Sequence, residues 1–530
     1  MRERLAGTGA LVRLGLRRDR WLLPLWILGF ALLAGTTASA AANLYPDAAS
    51  RFEAATTVNA TASLVAMFGR IYDPTSLGAL SLLKLTAFGA VTLAVLMVVV
   101  TIRHTRADEE NGRLELLSGG RLGPGAPLAA ALLISFGSSL VLGLVTAAAL
   151  VAGGLPALGS LAFGLGWAAT GMAFSTVAGV SAQLTTSARA ATGQGVVVIA
   201  LTYALRAVGD LAEPGPSALS WLSPIGWNQQ LRAFAGDQWW VLVLPLALSA
   251  VLVPVAFFLR GRRDLGAGLR GERPGPARGT LAGVWDLAVR LQVRVLVAWA
   301  VAFILFGVVI GSLASNVTDL LTSANAQDLI KRLGGARALT DAFLAAEIGV
   351  MGVLGAAYGL AAANRLRSEE AEGHTEALLG TATTRIRWAT SHYAAALAGV
   401  TLLMLLAGLS IGIGAAFALH DGSQVGRITL AALAQAPAAW VVTSVGLTVF
   451  GWAPRLMGVT WGLFIAFIAM GEFGVLWNAP PWLMDLSPFQ HSPLLPVGSG
   501  GISALVSLTA TAAALAALGY LGWRRRDMTA

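Results

Sequence analysis

Apolar runs of about twenty residues recur along the whole chain, and this pattern limits the fold more than any other feature. A helix crossing the hydrocarbon core of a bilayer needs ~20 apolar residues. Twelve stretches qualify: 21–41, 81–102, 128–153, 158–184, 194–213, 239–259, 295–315, 342–363, 389–418, 429–450, 457–477 and 501–523. Only 12% of the residues are charged and 56% are hydrophobic, against about 25% charged in a soluble domain. The expected fold is all-α: a polytopic membrane protein of about twelve transmembrane helices.

Charge sets the expected orientation. With the N-terminus inside, the inner segments carry 27 Lys and Arg and the outer segments carry seven. The excess of inner basic residues places both termini in the cytoplasm of a cell (plasma or inner) membrane. It also accounts for the net charge of +9 without any nucleic-acid partner. Residues 4–18 read as an amphipathic interfacial helix ahead of the first span, with Leu5, Val12 and Leu16 on one face and Arg13, Arg17 and Arg20 on another.

The chain repeats itself. Arg106-x-Asp108-Glu109-x-x-Gly112-x-x-Glu115-x-Leu117 follows the second span. Arg367-x-Glu369-Glu370-x-x-Gly373-x-x-Glu376-x-Leu378 follows the eighth, each residue 261 positions later. Leu222-Ser223-Pro224 recurs as Leu486-Ser487-Pro488. These matches predict a duplication, with six-span halves at 1–260 and 281–530. Six is even, so the halves form a parallel repeat about an axis along the membrane normal. A Gly/Pro/Arg segment, 261–280, reads as a flexible cytoplasmic linker. A short apolar stripe at 281–292, with Trp285, predicts a second interfacial helix.

The loops at 103–127 and 364–388 each combine an acidic cluster, a glycine, a further glutamate and leucines. As short helices with exposed acids and leucines they would seat in a groove of a basic cytoplasmic partner. Arg106, Asp108, Glu109, Glu110, Gly112 and Glu115 are the candidates in the first loop. Arg367, Glu369, Glu370, Gly373 and Glu376 are their counterparts in the second. Inside the spans, Arg206 falls near mid-membrane with Asp210 one turn on, and Glu347 and Glu472 fall near outer ends. These four are candidates for a polar pathway or gate. The Pro- and Trp-rich segments 211–238 (Trp221, Trp227, Asn228) and 478–500 (Pro480, Pro481, Trp482, Phe489, His491) read as re-entrant or interfacial helices. Gly355xxxGly359 and Gly408xxxGly412 would allow close helix packing.

Several activities are not expected. The chain has no cysteine and its five histidines show no ligand spacing, so neither a metal site nor a catalytic residue is expected. Neither of the two lysines, Lys84 and Lys331, lies in a phosphate-binding GxxxxGK[ST] loop. The chain is therefore not expected to be an ATPase, or an enzyme of any kind.

Taken together, these residues resemble the permease subunit of a type-2 (ABCG-like) ABC exporter, in the fused twelve-span form of the bacterial polyketide-antibiotic (tetronasin-type) exporters. The resemblance covers essentially the whole chain. It implies that the 103–127 and 364–388 loops are coupling helices. It implies two copies of a soluble ABC ATPase subunit, with ATP and Mg in those subunits and no cofactor in this chain. It also implies a substrate path between the halves, lined by spans 2 and 5 and spans 8 and 11. The expected cargo is a hydrophobic or amphiphilic small molecule such as an antibiotic or drug, because the span walls offer few fixed charges. The alternatives are a proton-coupled secondary multidrug transporter, which would need buried carboxylates in the spans, and a membrane-bound lipid-modifying enzyme.

Overall fold

A computed structural model describes residues 3–118, 122–212, 216–264, 266–269, 281, 283–315, 336–473, 480–497 and 501–528. Among them there is no strand, and eleven helices are long and apolar enough to cross a membrane. The chain is an all-α, multi-pass membrane protein. The run expected as an eleventh span is a shorter helix, Met457–Phe473. The six residues after it lie outside those described, so eleven long helices stand where twelve spans were expected. The contacts divide the chain into two compact units, 1–275 and 276–530.

In the first unit, the amphipathic helix Thr8–Arg18 precedes span 1, Leu22–Leu44. Its buried residue is Gly15, beside Ile134 and His104, whereas Leu14 and Leu16 are exposed. Of the face set by Leu5, Val12 and Leu16, Val12 packs against the core of this unit while Leu16 is exposed. Span 2 starts with a π turn, Leu85–Gly89, and continues as Ala90–Arg103. Spans 3 to 6 are Ala126–Ala152, Ala157–Leu184, Ala188–Asp210 and Trp239–Arg260.

Span 4 is the centre of this unit and packs on spans 2, 3, 5 and 6. Lipid gives helices no hydrophobic drive to associate, so close approach depends on small residues. Span 4 supplies them in Gly159, Gly164, Gly166, Gly171 and Gly179. Where it meets span 3, a Cβ on Gly143 would strike the carbonyl of Gly164, and one on Gly164 would strike that of Gly143. Its Trp167 is fully buried, edge-on to Phe30 at 5.4 Å, in the space that Gly89 leaves open.

The second unit repeats the plan. Span 7 is Val284–Ser312, span 8 Ala336–Ala371, span 9 Arg385–Leu419 and span 12 Ile502–Arg525. Span 10 is broken into Ser423–Leu433 and Ala436–Trp452, where Pro437 in the first turn has no N–H to continue the helix. As span 3 packs on span 1, span 9 packs on span 7. As span 4 packs on spans 2 and 6, Ala436–Trp452 packs on spans 8 and 12. Gly408 and Gly412 face the backbone of Thr429 and Val425 on Ser423–Leu433, whereas Gly355 meets only the flexible end of Met404.

Two further expectations change. The stripe at 284–292 is not a separate interfacial helix. It forms the first turns of the 29-residue span 7, with Val284 and Ala288 buried and Trp285 exposed. The segment between spans 1 and 2 carries helices that the apolar pattern did not announce: Ala48–Ala60, Ala62–Phe68 and Leu77–Ser81.

Candidate functional site

The two charged turns share one construction. Span 2 stops at His104 and Thr105, and two short helices follow, Arg106–Glu110 and Arg113–Ser118. Gly112 joins them at φ +68. Span 8 runs on to Ala371, and Gly373 at φ +76 starts the helix His374–Leu379. A Cβ at either glycine would meet nothing within 4 Å, so the need for glycine is conformational. Gly112→Ala and Gly373→Ala should each cost about 1 kcal/mol through left-handed strain, with asparagine milder. Thermal melts of the purified chain check this.

Behind each turn a glutamate is buried and gripped by an arginine from the end of the same half. Arg263 Nη2 donates to Glu109 Oε1 at 2.7 Å and Nη1 donates to Oε2 at 2.8 Å. Arg526 holds Glu370 in the same way, at 2.6 and 2.8 Å. Each glutamate also pairs with the arginine three residues before it, Arg106 or Arg367. Arg106 is fully buried and donates to the carbonyls of Thr185 and Ala267. Arg263 also donates to Gln183 Oε1 at 2.8 Å. Arg526 lies over the rings of Trp523 and Phe450, at 4.6 and 5.0 Å. Such bidentate, charge-assisted pairs fix geometry as well as energy.

This arrangement corrects the expected docking set. Glu109, Glu369 and Glu370 are buried and ion-paired inside their own half rather than exposed on the outer side of the turns. Asp108 is half-buried between Arg18 at 2.8 Å and Arg113 at 3.2 Å. Glu110 accepts from the N–H of Ala188 and so caps the start of span 5. The outward surface is Glu115 with Leu116 and Leu117 in the first turn, and Glu372, His374 and Glu376 in the second. The linker's first residues are also not a free tether. Arg263, the carbonyl of Ala267 and the N–H of Leu269 are all bonded beneath the first turn. Residues 270–280 lie outside those described.

A groove of about 370 Å³ runs beside the first turn. Leu11 and Leu14 of the amphipathic helix form one wall, Leu114 and Leu117 of the turn the other, with Pro127 and Ile134 of span 3 at its back. Arg18, Asp108 and Arg113 also line it. The helix bearing Leu11 is fastened to span 2 by a buried Asp19, which binds His104 at 2.6 Å and Arg103 at 3.0 Å.

The candidates inside the spans are placed differently from expectation. Span 5 starts at Ala188 rather than 194, which moves Arg206 from mid-membrane to one turn from the helix end at Asp210. Both residues are buried, 3.3 Å apart. Arg206 also donates to the carbonyls of Ala66 and Met67, and Asp210 accepts from Ser220 at 2.6 Å. The pair clamps the segments on either side of it. Glu347 is half-buried in span 8. Glu472 lies in the helix Met457–Phe473, but its side chain is outside the described residues. Missed by the sequence reading, Asp341 and Arg427 form a bidentate pair at 2.6 and 2.8 Å between spans 8 and 10.

The segments before spans 6 and 12 do carry short helices: Ala218–Trp221 and Pro224–Gln230 in one, Pro481–Met484 and Pro488–His491 in the other. Asn228 is buried and donates to the carbonyl of Thr86 inside the π turn of span 2, at 2.9 Å. Trp221 stacks on Trp240 at 5.4 Å.

Comparison with known proteins agrees with this architecture. A family model described as the C-terminal domain of the multidrug efflux system permease Rv1217c matches residues 281–524. The multidrug efflux system permease protein Rv1217c of Mycobacterium tuberculosis (strain ATCC 25618 / H37Rv) is 41% identical over 529 residues, covering 98% of this chain and 95% of that protein. With this identity over 98% of its length, the chain belongs to the family of multidrug efflux system permeases.

Proposed function

We propose that this chain is the membrane subunit of an ATP-driven ABC exporter, of the ABCG-like tetronasin type, that moves hydrophobic or amphiphilic small molecules out of the cytoplasm or the inner leaflet. Two copies of a soluble ATPase subunit would dock on the two charged turns, and ATP and Mg would be held there. Both termini would face the cytoplasm, as the 27-to-seven split of basic residues favours.

The observation that carries this reading is the recurrent build of the turns. Each has a buried glutamate gripped from behind by a bidentate arginine and offers acids on its outer side, joined in the first turn by Leu116 and Leu117. Such a turn passes a push from a partner into spans 2 and 6, or 8 and 12, without yielding itself. The groove beside the first turn has the apolar walls and charged lining that suit a partner helix. Proton coupling is less well supported. The buried carboxylates among the described residues, Asp19, Glu109, Asp210, Glu369 and Glu370, are all held by arginine or histidine. Each is thereby committed to an ion pair within its own half and is poorly placed to serve as a mobile carrier.

The test separates docking from folding. Glu115→Lys with Leu116→Asp, and independently Glu376→Lys, should lower ATPase-subunit co-purification and stimulated ATP hydrolysis roughly tenfold or more, an effect of the size expected of interface hot spots. The thermal midpoint of the isolated chain should stay unchanged. Full co-purification with both outer surfaces reversed would refute docking at these turns.

A further inference from the structure

Among the differences between the two turns, one group of three positions concerns a cation. In the first, the repeat positions hold Asp108, Asn111 and Arg113, and the guanidinium lies 3.2 Å from Asp108. In the second, 261 positions on, they hold Glu369, Glu372 and His374. A permanent positive charge has been replaced by an imidazole, and a neutral amide by a carboxylate. A carboxylate paired with a guanidinium has thereby become two carboxylates beside one imidazole. An additional arginine stands by in both turns, Arg18 on Asp108 and Arg365 on Glu369, so it does not offset the change.

The geometry fits a metal. His374 Nδ1 lies 3.2 Å from Glu369 Oε2 and 3.4 Å from Glu372 Oε2, and the three ligand atoms lie within 4.8 Å of one another. In a tetrahedral zinc site with bonds of ~2.0–2.2 Å, adjacent ligands are about 3.3 Å apart. Glu369 is buried and is held from its other oxygen by Arg365 at 2.6 Å, which aims Oε2 at the imidazole. Gly373 at φ +76 brings Glu372 and His374 to the same side of the turn.

We propose that Glu369, Glu372 and His374 form a site for a divalent transition-metal cation of the zinc class, completed by water. One imidazole with two carboxylates selects zinc-like ions over magnesium or calcium, which prefer oxygen alone. Two of the three ligands are largely exposed, so the site binds reversibly at low-micromolar concentration. It makes the second turn responsive to the ion. The first turn keeps a built-in arginine at the same place. This site stands whether or not an ATPase docks on the turns.

The experiment is titration of the purified, tag-free full chain in detergent with Zn²⁺ alone, read by calorimetry and by competition with a zinc indicator. The wild type should bind one equivalent in the low-micromolar range. His374→Arg, which restores the first turn's arrangement, and Glu372→Gln should each weaken that equivalent by roughly tenfold or more. Unchanged elution volume and tryptophan emission would show that both variants fold. Absence of binding by the wild type at 100-fold excess zinc, as a rough upper limit, would overturn the proposal. So would an undiminished equivalent in His374→Arg, or displacement of zinc by a large excess of Mg²⁺.

Discussion

Arg263→Met is expected to destabilise the first unit by about 3 kcal/mol, and Arg526→Met the second by a similar amount. Removing one partner of a buried ion pair costs roughly 3–5 kcal/mol, because the remaining charge stays in a poorly solvating site. Arg106 and Arg367 still stand beside the glutamates, which places the effect at the lower end. Arg263 also releases Gln183 and the carbonyl of Ala267, so lysine, with a single point of charge, restores only part of the loss. The double variant Glu109→Gln with Arg263→Met should cost clearly less than the two single changes added together. That non-additivity is the mark of direct coupling. Unfolding of the detergent-solubilised chain, followed by intrinsic tryptophan emission, measures the cycle. Simple addition of the two effects would show that the pair is not coupled.

Gly143→Leu should be more damaging, with little folded protein recovered. Spans 3 and 4 touch through backbone at this point, and an added side chain would meet the carbonyl of Gly164 rather than a side chain able to turn away. The helices would have to separate, and overpacking of this kind costs ~1–3 kcal/mol or more even where neighbours can shift. Gly143→Ala should give a milder form of the same defect. Gly137 sits on the same helix with nothing near its missing Cβ, so Gly137→Leu is the control and should be tolerated. Yield and monodispersity in gel filtration, measured side by side, decide the matter. Equal behaviour of the two leucine variants would contradict the packing described here.

Much of the fold was legible from the apolar runs, because lipid demands long uninterrupted helices. Span 5 shows where that signal fades. Its first turns contain Arg189 and Thr192, which the apolar criterion passes over, and the late start misplaced Arg206. The outer helices at 48–81 are short and partly polar, so no apolar pattern announced them. The repeat was legible because Arg106, Glu109 and Gly112 recur at one offset. Which acids face outward was not legible, because the arginines that bury them lie 154 and 156 residues away. The spacing did offer a signal: Arg263 and Arg526 close the two halves at nearly the repeat offset. The grouping of Glu369, Glu372 and His374 was not legible for a related reason. Glu369 and Glu372 are ordinary loop acids until Gly373 turns His374 back onto them.

As proposed, the chain would have no power stroke of its own and would receive one through the stapled turns. Transport of a fluorescent amphiphilic drug in reconstituted vesicles tests it most directly. The vesicles would carry the purified chain with or without its ATPase subunit, under ATP or under an imposed proton gradient. The account predicts drug movement only when the ATPase subunit and hydrolysable ATP are both present. Movement by the chain alone, driven by the proton gradient, would contradict it.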